Sequence, residues 1–374
     1  MQDNGENTQG KDGAAGDEGQ VEVPWPRQLR VVGWPARGIG FVTRVAGFLT
    51  ALGGANHIRT PVVFGQSYAE AIGTGILMIV GGITAVFVGA HLSRYGRRHT
   101  TRLVRDSRDL ELRSYILYLR PFDLDEFLFR IRPAPVRSLL RRLRTPLSRT
   151  FEEDLILTMR FRFRSGLRLG RVVAVGRPGE RLPLAGARRF YLSEKQWKPT
   201  VSAAVRDARL VVLATGTSDG TLWEFTEAVR LLPPKRLMVM VFTDEAEYDR
   251  FRSEAGKRFA ARAAELPGEE GRKLAAVRWP AYPPLRNQEA APRMVGTQGF
   301  IVFGSDWTPE FVRLDPTAVW AFSDLGRVRK VMRRQVNPVM RRVKRELDRL
   351  PDDALGTSAA LSPRAGGAAT GEAE

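Results

Sequence analysis

The chain has 374 residues, 43% of them hydrophobic, which is enough to bury a full-sized core, and it carries a formal net charge of +18. It holds no cysteine, and its three histidines, His57, His91 and His99, lie in or beside an N-terminal apolar region; disulfides, cysteine nucleophiles and, beyond His99, histidine bases and ordinary zinc sites are excluded. Eight of the 59 basic residues are lysines, and the arginines are spread over almost every segment, a pattern of compositional bias rather than of a nucleic-acid face, so nucleic acid is not an expected partner.

From Met1 to about Glu22 the chain is rich in Gly, Asp, Glu, Gln and Asn, with too few apolar residues to offset the entropy of ordering. Residues 1–30 are therefore assigned to a disordered tail. A membrane region is expected over 31–93. Ile39 to Ala55 is apolar apart from Arg44, which can snorkel to an interface, and is a candidate first span (39–55). Ala71 to Ala90, AIGTGILMIVGGITAVFVGA, has twenty residues without a charge and at about 1.5 Å per residue crosses a hydrocarbon core of about 30 Å. It is the stronger span (71–91), and its glycines favour close helix packing in a membrane. A buried soluble helix is the alternative. The polar leader is too long for an ordinary signal peptide.

Arg94, Arg97, Arg98, Arg102, Arg105 and Arg108 follow against Asp106. That excess places this flank, read as a basic linker over 94–113, on the cytoplasmic side. Arg27, Arg30 and Arg37 precede the first apolar segment, so a two-span hairpin would keep both ends inside. One span or a hairpin both fit.

Residues 114–320 alternate strand and helix patterns, which predicts an α/β domain with a parallel sheet covered on both faces. Strands are expected at Tyr115 to Leu119, Arg171 to Val175, Leu210 to Ala214, Leu237 to Phe242 and Phe300 to Phe303. Between the first two lie an arginine-rich insertion, Arg130 to Arg149, and a helix from Thr150 capped through Glu153. Further helices are expected at Glu194 to Ala208, Thr221 to Leu232 and Asp244 to about Glu265. A basic amphipathic helix over 321–350, kinked at Pro338, lies on an anionic leaflet or packs on the sheet. Residues 351–374 form a second disordered tail.

With cysteine and histidine unavailable, carboxylates are the expected chemical agents, and Glu224 and Glu227 stand on a helix just after a buried strand, where α/β proteins bind ligands. Each has a plain alternative. Thr221-Leu-Trp-Glu224 fits a T-x-x-E capping box, and Glu227 fits a solvated helix face. Gly176, Arg177, Pro178, Gly179 and Glu180 form either a phosphate-holding loop or a turn. Asp123, with Asp125 and Glu126, suits a ribose or magnesium, or the start of a helix.

Taken together, Tyr118, Arg120 and Asp123 at the end of the first strand, Trp197 in a helix, the strand within Arg206 to Thr215, and Trp223 with Glu227 in W-x-x-x-E spacing resemble the Toll/interleukin-1 receptor (TIR) domain superfamily over Ser114 to Phe242. The resemblance implies a flavodoxin-like parallel sheet and a bacterial membrane-anchored signalling or conflict-system protein. It also implies cleavage of the nicotinamide glycosidic bond of NAD by a glutamate on this helix, with NAD as substrate and no required cofactor. By spacing Glu227 takes that role; Glu224, one turn earlier, competes for it. Trp223, Asp123, Arg120, Arg177, Gly176, Gly179 and Thr215 are the expected substrate contacts. Glu224 stands where the family has cysteine, and Thr215 where it has serine. Expected partners are the lipid bilayer, a small nucleotide and further copies of the chain, at the cell membrane with the domain on the cytoplasmic side. The other reading is a non-catalytic module of the same fold that assembles at the membrane.

Overall fold

Three runs, YILYL, LVVLA and LMVMV, are apolar at every position, the signature of strands covered on both faces. They form the centre of the sheet in the computed structural model, which describes residues 27–60, 67–104, 112–121, 171–176, 187–191, 197–289, 297–321, 327 and 330–350. The strands are β1 (Leu103–Val104), β2 (Tyr115–Leu119), β3 (Arg171–Val175), β4 (Arg188–Phe190), β5 (Leu210–Ala214), β6 (Leu237–Val241), β7 (Gly299–Phe303) and β8 (Pro309–Arg313). Their order across the sheet is β1-β4-β3-β2-β5-β6-β7-β8. The first six pair in parallel, while β7 and β8 are antiparallel.

One face carries Leu117, Val173, Val211, Leu213 and Val239 against α3 (Trp197–Asp207), α4 (Asp219–Leu231), α5 (Glu245–Glu265) and α6 (Glu269–Ala276). On the other, Ile116, Tyr118, Val212, Met238 and Phe300 pack with Val339, Met340, Val343 and Leu347 of α7 (Asn337–Arg349). The apolar face of α7 is thus spent on the sheet and is not available to a leaflet, which decides between the two readings of the basic C-terminal helix. A π turn over Met332–Val336 runs directly into α7, and Pro338, which has no amide hydrogen to donate, follows it at the junction.

Ahead of the sheet stand α1 (Arg30–Arg59) and α2 (Tyr68–His99), both long and apolar enough to cross a membrane. Glycine recurs every seventh residue on each, at 33, 40, 47 and 54 and at 75, 82, 89 and 96, and the two series meet in antiparallel register. A Cβ on Gly40 would lie 2.6 Å from the Gly89 carbonyl oxygen, one on Gly47 2.5 Å from that of Gly82, and one on Gly54 2.6 Å from that of Gly75. Every rung brings backbone against backbone, which only glycine permits. Large apolar side chains point the other way: Trp34, Phe41, Leu49, Leu77 and Val80 are all more than half exposed.

One expectation requires correction here. Residues 94–113 are not simply a linker. Helix α2 runs to His99, and after three residues β1 joins the sheet beside β4, with the Arg189 amide donating to the Arg102 carbonyl at 3.2 Å. The joint is clasped from the N-terminal side. Gln28 Nε2 donates to the Arg98 and Thr101 carbonyls at 2.9 and 3.0 Å, and the Leu29 amide donates to His99 Nδ1 at 3.1 Å. Strand β4 also escapes a pattern search, because Arg188 and Arg189 read as polar although Arg189 is fully buried. The insertion at 130–149, the helix from Thr150, and Asp123, Arg177 and Gly179 lie outside the described residues, as do both tails apart from 27–30.

Candidate functional site

The chain moves from β2 to β3 and β4 on one side, then crosses to β5 and β6 on the other, so the strand order reverses between β2 and β5. Such a reversal splays the flanking connections and opens a crevice at the carboxyl ends of the two strands. Leu119 pairs with Leu213 in register, so Arg120 and Pro121 leave the sheet beside Thr215 and Gly216. At Gly216 a Cβ would collide with the Pro121 ring; glycine is what lets the two connections touch.

Helix α4 rises directly from this rim. Its cap is Ser218, whose hydroxyl accepts from the Thr221 amide at 3.4 Å and lies 2.8 Å from the Thr221 hydroxyl. The expected T-x-x-E box is therefore absent: Thr221 is already the third residue of the helix, and Glu224 falls in its second turn, with no capping role.

Part of Glu224 still reaches the surface, yet its carboxyl is desolvated, and burial pushes its pKa up to about 8 against the opposing pull of the Arg120 guanidinium. Arg120 is itself buried, with its guanidinium carbon 5.5 Å from the Tyr118 ring centre. Thr215 is buried too. Its amide donates to the Met240 carbonyl at 3.0 Å, while its hydroxyl has no hydrogen-bond partner among the described residues; a buried hydroxyl in that state costs about 1–3 kcal/mol unless something bonds to it.

Glu227 is differently occupied. Ser202 of α3 donates to its carboxylate at 2.6 Å, Arg230 donates through Nε and Nη2 at 3.0 and 2.6 Å, and Arg230 Nη1 continues to Glu270 of α6 at 3.1 Å. Burial raises its pKa, but the hydrogen bonds from Arg230 and Ser202 and the nearby Arg230 and Arg262 charges outweigh it and hold the carboxylate below its ordinary value. The result is a three-helix tie.

Trp223 packs edge-to-face on Trp197 with ring centres 4.7 Å apart, and Lys198 Nζ lies 5.7 and 5.9 Å from the two rings. Gly176, one strand over at the end of β3, donates its amide to the Phe190 carbonyl at 2.8 Å and is covered by the Tyr191 ring, which a Cβ would strike. Its glycine is thus explained by an aromatic lid. Tyr191 directly follows β4, and because β4 is hard to read, so is its lid.

The structure therefore brings Arg120, Thr215 and Glu224 to one rim, with Trp223 adjacent in sequence, and turns Glu227 toward α3 and α6. Among the described residues no group of three or more histidines or acids could hold a metal ion. These features define a mixed α/β protein with an eight-stranded, mostly parallel sheet and two apolar N-terminal helices. Compared with family models, with curated proteins and with solved structures, the chain matches none.

Proposed function

We propose that the chain is a membrane-anchored, TIR-like signalling or conflict-system protein whose cytoplasmic α/β domain binds a nucleotide such as NAD and cleaves or transfers its ribosyl group, with Glu224 as the acting carboxyl. The observation that carries the reading is the desolvated Glu224 carboxyl at the reversal of strand order, within the field of Arg120. A carboxyl poised near neutrality ionises when a cation arrives beside it, and the nicotinamide ribosyl group of NAD is cationic. As the C1′–N bond breaks, its electron pair leaves with neutral nicotinamide, and the oxocarbenium that remains faces the Glu224 carboxylate. Water, or an acceptor hydroxyl, then adds at C1′ with loss of a proton. The unpartnered Thr215 hydroxyl is a ready contact for the ribose.

Membrane anchoring is supported by the inside-out build of the hairpin, with glycine at the interface and exposed Trp34, Phe41, Leu49 and Leu77 outside, a surface suited to lipid rather than water. The excess of arginine flanking both helices supports a cytoplasmic side for the domain.

One observation favours the non-catalytic alternative. Glu227, the residue at W-x-x-x-E spacing, has a sufficient structural role in the tie to Arg230 and Ser202, so the spacing carries no catalytic weight of its own.

Nicotinamide release from NAD by the full-length protein in lipid nanodiscs, alone and after crowding on one membrane, tests the proposal. Release that Glu224→Gln abolishes and Glu227→Gln does not is the expected result. An intact, clustered protein that releases no nicotinamide would leave only the interaction module.

A further inference from the structure

We infer that the cytoplasmic end of the helical hairpin is a binding site for the phosphate of an acidic phospholipid, formed where Arg30, Trp34 and Arg37 share one stripe of α1; the inference rests on the hairpin being the membrane anchor.

The stripe follows from spacing. Residues 30, 34, 37, 41 and 44 fall on one face of a helix of 3.6 residues per turn, and here they read Arg, Trp, Arg, Phe, Arg. The face runs beside the glycine seam, and the seam holds Arg37 and Arg44 in place. A Cβ on Gly96 would lie 2.8 Å from Arg37 Cγ, and one on Gly89 2.8 Å from Arg44 Cγ, so each stem lies in a notch that α2 provides by lacking a side chain. The head of Arg37 is fixed as well. Its guanidinium carbon stands 4.7 Å from the Trp34 ring centre, and Nη1 donates to Thr100 Oγ1 at 3.3 Å.

Charge and polarity select the occupant. Arg94, Arg97, Arg98 and Arg102 crowd the same end of α2 and its exit, and the only acid among the described residues of both helices is Glu70, at the opposite end. A forked guanidinium suits a phosphate diester, whose oxygens it can bind two at a time. Trp34 and Phe41, 65% and 61% exposed, alternate with the arginines, so one surface offers apolar contact to an acyl chain and cationic contact to its headgroup, at the level where tryptophan collects in membrane proteins. Orientation alone does not account for this. Topology depends on how many positive charges flank a span, whereas Arg37 and Arg44 are each seated in a notch of α2, and Arg37 lies against a ring as well.

The test uses full-length protein purified in mild detergent. Thermal unfolding is followed with added phosphatidylglycerol, phosphatidylcholine or inorganic phosphate, together with native mass spectrometry of retained lipid. Phosphatidylglycerol should raise the midpoint about 4 °C beyond phosphatidylcholine, and free phosphate should not. R30Q/R37Q should lose that difference, while R341Q/R345Q on α7 should keep it. Should R30Q/R37Q prove unstable, the wild-type lipid preference by mass spectrometry decides. Equal stabilisation and equal retention of the two lipids by the wild type, or a preference that survives in R30Q/R37Q, would overturn the site. Extraction of the protein from membranes by 1 M salt would instead overturn the anchor on which it rests.

Discussion

Glu224 lies in the field of the Arg120 guanidinium at the rim between β2 and β5, and that charge does not bring its pKa down: burial keeps it at about 8. A carboxyl raised from 4.5 binds a proton in the folded state over a range of pH in which the unfolded chain has released it. Stability from this group is full below about pH 4.5, falls as pH rises, and is lost once pH passes about 8. Glu224→Gln removes the slope. It should be the more stable protein at pH 8.5, by on the order of 3 kcal/mol, and nearly equal to wild type at pH 4.5. Thermal midpoints across that range check this; parallel curves for the two proteins would place the carboxyl in water.

Glu227 has the opposite sign. Its pKa is depressed, so its contribution is present above the ordinary carboxylate value and lost as pH falls through the folded one. Glu227→Gln leaves Arg230 without its nearest anion and leaves only one oxygen to accept from Ser202 and Arg230, and should cost about 1–3 kcal/mol at pH 7. That cost should shrink from pH 7 to pH 3. Denaturant midpoints at both values measure it. Nicotinamide release per folded molecule should be unchanged, which separates a structural tie from a reacting group.

The two glutamates also mark how far the sequence could be read. Uninterrupted apolar runs made β2, β5 and β6 plain, because burial on both faces leaves no other option. The T-x-x-E spacing points to Thr221 as the cap, whereas Ser218 takes that role, because the helix begins where the connection from β5 leaves Pro121. Nothing in the spacing of Glu227 points to Ser202 or to Glu270, which reach it only through packing of α3 and α6 on α4. Strand β4 was hidden by its arginines. By contrast, the glycines at 33, 40, 47 and 54 and at 75, 82, 89 and 96 stand seven residues apart in the sequence, and the few residues between Arg59 and Tyr68 favour an antiparallel pairing of the two helices.

That register makes the seam intolerant where neighbouring positions are tolerant. Gly82 faces the Gly47 carbonyl and Ala51, whereas Gly81, next in the chain, has open space around it. Gly82→Leu must push the helices apart, an overpacking cost of about 1–3 kcal/mol or more because backbone has to yield. Gly81→Leu should cost nothing and, in lipid, gain contact. The paired variants share composition and hydrophobicity, so a lower thermal midpoint for the first alone reports helix packing and not insertion.

Three residues separate His99 from β1, and β1 supplies the outer partner of β4 through Leu103 with Arg189 and Val104 with Phe190. A fragment beginning beyond Val104 would leave β4 as a bare edge, ready to pair with another chain. Inserting Gly-Ser-Gly-Ser between Thr101 and Arg102 keeps β1 but frees it from α2 and from the Gln28 clasp. If the anchor presents β1 to the sheet, the Arg189 amide, which donates to the Arg102 carbonyl, should exchange at least about tenfold faster in the insertion variant. The Val211 and Val212 amides at the centre should be unaffected. Unchanged protection at Arg189 would mean that β1 binds β4 strongly enough to need no anchor, and that movement of the hairpin need not reach the sheet.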